Sequence, residues 1–143
     1  MKNDLIRAKA LLNDGSSCAA CKGGSEYTAN GRGIAPLISI IERSGGLSGF
    51  TVCDKIVGSA AAYLLIEAKA GEVYAVTASE RAVKLLTAYG VTVSYTKLTD
   101  FIKNRSGDGL CPMEQTALKM DSPYGAYEIF KAKLNELKNE NNS

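Results

Sequence analysis

Apolar positions recur at helical spacing in the first dozen residues. Leu5, Ala8 and Leu12 share one face, with Asp4 as the cap and Gly15 as the stop. The period then shortens. Residues 16–22 and 25–30 flank Gly23-Gly24, which reads as a tight hairpin with both glycines at positive φ. Gly31-Arg32-Gly33 leads into a second helix, with Pro36 in its first turn, Ile34, Leu37, Ile38 and Ile41 on one face, and Gly45-Gly46 as its end. From residue 50 short apolar runs alternate with longer helical ones. Strands are predicted at 50–53, 72–78 and 91–95. Asp54 caps the helix over 55–70, which Gly71 ends, and Ser79 caps the helix over 80–89, which Gly90 ends. Such a series implies parallel strands joined by right-handed crossovers. The weak alternation of residues 73–76 implies a strand covered on both faces.

Beyond residue 95 the pattern predicts a short helix from Thr99 or Asp100 through Arg105. A Gly/Asp loop over 106–110 and helices opened by Pro112 and by Ser122-Pro123 follow. The polar tail at 139–143 is expected to fray. The chain reads as one α/β domain over 1–143, with three α/β/α layers and a mixed sheet of about five strands.

Composition narrows the chemistry. The chain has 143 residues, 17 basic and 15 acidic, for a net charge of +2, which argues against nucleic-acid or membrane partners. It has no histidine, which excludes Ser-His-Asp and Cys-His catalysis and every His-ligated metal. Residues 60–66 form the longest apolar run, against the ~20 residues that span a bilayer. The first twelve residues interleave charge with apolar groups, so a cytoplasmic location with reduced thiols is expected.

Three segments carry candidate chemistry. Cys18-Ala19-Ala20-Cys21 has CxxC spacing. In a strand, however, positions three apart face opposite sides, so both thiols are expected to be structural. Arg32, between two glycines ahead of a helix, is placed to meet an anion; an exposed arginine at a hairpin exit is the plainer alternative. Cys53, Asp54 and Lys55 fall where a strand is predicted to give way to a helix, the usual ligand position in an open α/β sheet. The polar stretch 104–114 holds Arg105, Asp108, Cys111 and Glu114. Cys111 lies at a predicted N-cap, which favours thiolate, and Glu114 stands where a capping-box carboxylate would.

The order helix, hairpin, helix, then alternating strands and helices resembles the cytidine deaminase-like fold. More narrowly, the residues 31–37 (GRGIAPL), 54–62, 104–105 and 111–114 (CPME) are similar to an uncharacterised prokaryotic family of unknown function with that fold. In deaminases of this fold a His or Cys ligand with a Glu, and a Pro-Cys-x-x-Cys pair, hold zinc at two helix starts. This chain has Gly31-Arg32-Gly33 at the first and a single cysteine, Cys53, at the second. The departure implies no zinc and no cofactor.

The expected function is binding of a small anionic or nucleotide-like ligand by Arg32, Asp54, Lys55, Arg105, Asp108, Cys111 and Glu114, without deaminase chemistry. One alternative is an enzyme using Cys111 or Cys53 as thiolate nucleophile with Asp54 or Glu114 in proton transfer. Another is a regulatory or protein-interaction module, for which self-association as a homo-oligomer is open.

Overall fold

The computed structural model describes residues 2–104 and 106–142, with side chains described from residue 3 to 139 except at Arg105. The elements run α1 (Lys2–Asn13), β1 (Cys18–Lys22), β2 (Ser25–Ala29), α2 (Ala35–Ser44), β3 (Thr51–Val57), α3 (Ser59–Glu67), β4 (Glu72–Ser79), α4 (Glu80–Ala88), β5 (Thr92–Thr99), α5 (Pro112–Leu118) and α6 (Ala126–Asn142). The strands form one mixed sheet in the order β2-β1-β3-β4-β5. β1 is antiparallel to both neighbours, and β3, β4 and β5 are parallel.

Two apolar clusters divide the sheet's faces. On one, Ala8 and Leu12 of α1 pack on Ala19, Cys21 and Cys53. On the other, α2, α3, α4 and α6 cover Cys18, Ala20, Val52, Val73 and Ala75. Every residue of α3 from Ser59 to Leu65 is buried, as expected of a helix apolar all round. The cysteine pair obeys the strand period, since Cys18 and Cys21 fall in different clusters. The α1 face is covered only in part. Tyr74 is half-buried there, and Val76 is 38% exposed, so β4 is not enclosed on both sides.

Local signals placed several boundaries. Ser79 caps α4, its hydroxyl accepting from the Ala82 amide, and Gly45 closes α2 at φ 77°. Pro36 and Pro112 stand in first turns as predicted.

Five readings need correction. In the hairpin turn Gly23 takes positive φ (56°) and Gly24 does not, the pattern of a type II′ rather than a type I′ turn. Asp4 lies inside α1 and does not cap it; its carboxylate accepts from the Gly23 amide at 3.2 Å, tying α1 to the hairpin. Asp54 is not a helix cap, because β3 continues to Val57 and α3 begins only at Ser59. The helix expected from Thr99 or Asp100 is not formed by the described residues 99–104. Backbone bonds from Asn104 to Gly109 (2.8 Å) and from Cys111 to Ile102 (3.1 Å) fold the segment back on itself. Finally, α6 starts at Ala126 rather than Ser122, because Gly125 at φ 79° cannot be helical.

Candidate functional site

The residues expected to share one pocket do not converge. Arg32 and Asp108 are exposed in loops, and Lys55 is exposed near the end of β3. Arg105 lies outside the described residues. Cys53 and Asp54 are adjacent in β3 and therefore face opposite sides of the sheet. Cys53 joins the α1 cluster, while Asp54 lies beside Cys18 on the other face.

Burial pushes the Asp54 carboxyl up to about 7. The Lys55 and Ile56 amides and the Cys18 thiol oppose that shift without cancelling it. Burial likewise lifts the Cys53 thiol to about 12, which removes it as a nucleophile at neutral pH. The Cys18 thiol is raised well above its ordinary value by burial, reinforced by the Asp54 charge. Cys111, the N-cap of α5, is the one cysteine that is not fully buried. Alkylation with iodoacetamide at pH 7.5 should therefore modify Cys111 alone in the folded protein, and the other three only after denaturation. Fast labelling of Cys53 in the native state would contradict this arrangement.

Glu114 takes a role that its position in α5 does not announce. It leaves its own helix uncapped and reaches to the start of α3. Oε1 accepts from the Ser59 amide at 2.7 Å and Oε2 from the Ala60 amide at 2.9 Å. The N-terminus of a helix attracts anions, and here the chain supplies its own. Gly58 makes the approach possible. Its φ of −98° suits any residue, but a Cβ there would lie 2.5 Å from Glu114 Oε1 and 2.7 Å from Ile102 Cγ1. The remaining crevice at the carboxyl ends of the parallel strands encloses about 20 Å³, between Ser59, Ser79, Arg81, Phe101 and Glu114. That is room for about one water molecule. Arg81 donates to the Tyr63 hydroxyl at 3.3 Å, and its buried Nη1 has no hydrogen-bond partner among the described residues.

A much larger cleft opens at the other end of the sheet, where β3 and β4 begin. It holds about 550 Å³ between the ends of α2 and α3, the start of α6, and Lys22 at the end of β1. Ligand sites commonly occupy roughly 300–1,000 Å³. Ile41, Phe50 and Leu64 give its lining an apolar part, beside Gly45, Gly46 and Ser48 after α2 and Glu67, Ala68 and Lys69 at the end of α3.

Glu67 resembles Glu114 in its work. Its carboxylate accepts from the Gly125 (2.5 Å) and Tyr127 (2.7 Å) amides, so both its oxygens are committed to the start of α6. Tyr127 is anchored at the rim by donating its hydroxyl to Glu42 (2.5 Å), which also meets Lys131 at 3.0 Å. These two partners hold the Glu42 carboxyl below its ordinary range. Lys22 donates to the Ser48 carbonyl at 3.0 Å, with its ammonium 5.8 Å from the centre of the Phe50 ring.

None of these cleft residues belongs to a recognisable motif. They are drawn from positions 22 to 127, so spacing could not have found them. No local signal marks residue 69 either: the sequence places it inside a helix that Gly71 ends, whereas α3 stops at Glu67 and the chain turns at Lys69.

Among the described residues no three His, Cys, Asp or Glu side chains gather to hold a metal ion, and no helix is long and apolar enough to cross a membrane. The crystal structure of a DUF1893 family protein from Thermotoga maritima matches 93% of this chain and 91% of its own, at 33% identity and a TM-score of 0.84. No curated protein matches. The model of the domain of unknown function DUF1893 matches residues 6–134, and the chain belongs to that family.

Proposed function

We propose that this protein binds a small anionic, nucleotide-like molecule on a cytidine deaminase-like scaffold, without zinc-dependent deamination, and that the ligand sits in the cleft at the amino ends of β3 and β4. The observation that carries the reading is the contrast in room. About 550 Å³ are open beside Lys22, Phe50, Lys69 and Tyr127, against about 20 Å³ at the carboxyl ends of the strands. In the scaffold that the element order resembles, the start of α3 would carry two metal-binding thiolates. Here Gly58, Ser59 and Ala60 stand there with the Glu114 carboxylate on their amides.

The lining suits a ligand of mixed polarity. Two ammonium groups, on Lys22 and Lys69, favour an oxyanion. The ends of α2 and α3 carry partial negative charge and favour hydroxyl or amino donors. Phe50 and Tyr127 offer ring surface to a flat group.

The test is a titration of nucleoside 5′-monophosphates and sugar phosphates, followed by amide chemical shifts. Binding should perturb Gly46, Lys69 and Tyr127. Perturbation centred on Arg32, Lys55, Ser79 and Phe101 would return the ligand to the strand carboxyl ends. No perturbation by any member of the panel would end the reading.

A further inference from the structure

Ten glycines of this chain adopt positive φ, and among the described residues only one other residue does so: Lys69, at φ 68°. It stands just beyond α3. There its amide bonds the Ile66 carbonyl at 3.0 Å and the Ala70 amide bonds Leu65 at 3.0 Å, the paired pattern of a Schellman ending. The same left-handed step is made by Gly45 after α2 and by Gly90 after α4. Glycine makes that step without steric penalty, whereas a side chain with a Cβ is strained. The exception lies on the wall of the cleft.

The two lysines of the cleft differ in freedom. Lys22 is tied to the Ser48 carbonyl. Lys69 is exposed and joins no salt bridge among the described residues. A residue held in an unfavourable conformation, with its charge unspent and facing a cavity, is better explained by what it meets than by the fold.

We infer that Lys69 is the specificity-determining residue of the cleft, the group that separates a phosphorylated nucleoside from the unphosphorylated one. The inference rests on the ligand reading above and adds the residue that selects. A phosphate carries up to two negative charges and needs a free ammonium, which Lys69 supplies in the lining that it shares with Phe50 and Tyr127. The nucleoside alone has no use for it.

The experiment compares Lys69→Gly, Lys69→Met and Lys69→Arg with the wild type, using adenosine and adenosine 5′-monophosphate as probes and thermal unfolding alongside. The wild type should bind the monophosphate at least about tenfold tighter than the nucleoside, the effect of one charge-assisted contact. Lys69→Gly should bring the ratio close to one and raise Tm by about 3 °C, because strain is relieved. Lys69→Met should lose the ratio without the gain in Tm, and Lys69→Arg should keep the ratio. A preference for the monophosphate that survives in both Lys69→Gly and Lys69→Met overturns the inference and leaves the cleft as the site. Equal binding of the two probes by the wild type does the same. Binding of neither probe overturns the inference, and the ligand reading falls with it if no other member of the nucleotide and sugar phosphate panel binds.

Discussion

Replacement of Glu114 by alanine should destabilise the fold by about 3 kcal/mol or more, measured by urea unfolding. Two buried amides, those of Ser59 and Ala60, lose their acceptor, and a charge-assisted hydrogen bond contributes roughly 1.5–3 kcal/mol. Loss of the carboxylate also removes a negative charge from the start of a nine-residue helix that is almost entirely buried. Water cannot readily take over, since Ser59 is 3% exposed and Glu114 is 7% exposed.

Gly58→Ala should reach the same damage from the other side. The new methyl group would meet the carboxylate at 2.5 Å, and since the backbone conformation suits alanine, the whole cost is displacement. Overpacking of this kind costs about 1–3 kcal/mol. The two changes should therefore be strongly non-additive. In the Glu114→Ala background, Gly58→Ala should lose most of its effect and keep only the part owed to Ile102. Additive costs would mean that the glycine is needed for something other than Glu114.

The same pair shows where the sequence stops being readable. A helix start is found from sequence by a polar residue one position before it, and Ser79 announced α4 in this way. For α3 that signal pointed to Asp54, four residues too early. The true start has Gly58 before it, with no side chain to offer, because the cap comes from 54 and 55 residues downstream. A contact of that separation leaves no local trace. The start of α6 repeats the case. Ser122-Pro123 looked like a helix opening, but Glu67 holds the Gly125 and Tyr127 amides from the far end of α3.

What was legible depended on one residue's own conformational limits: Gly23 in the hairpin, Gly45 at a helix end, Pro36 and Pro112 in first turns, and the alternation that parts Cys18 from Cys21. The parallel run of β3, β4 and β5 followed from the alternation of strands and helices. The cleft followed from nothing local, since its walls are helix ends whose neighbours are decided by packing. Lys69 left no trace either, because the sequence runs that helix on to Gly71, whereas α3 stops at Glu67 and Lys69 takes the left-handed step that Gly45 and Gly90 take after α2 and α4.

Asp54 supplies the second large effect, and its sign is the reverse of the usual carboxylate case. Its carboxyl has an ordinary value of 3.8 and is pushed by burial up to about 7 in the folded protein. The folded state therefore holds this proton more tightly than the unfolded state. Between pH 3.8 and about 7 the native protein binds more protons, so stability falls as pH rises through that window. Below it both states are protonated and the site contributes no penalty. Above it both are ionised, and the full cost of a charge in the sheet interior remains. At 1.36 kcal/mol per unit, that cost is about 4 kcal/mol. Asp54→Asn keeps the shape and cannot ionise. The variant should match the wild type within about 1 kcal/mol at pH 4 and exceed it by about 4 kcal/mol at pH 8, with the gap opening between pH 4 and 7. Paired urea unfolding curves from pH 4 to 8 make the comparison, because the other titrating groups cancel between the two proteins. A difference that stays flat across that range would show that Asp54 is ionised in the folded protein at pH 4 as well. Its place opposite Cys18 in the middle of β3 would then be a stable charged site.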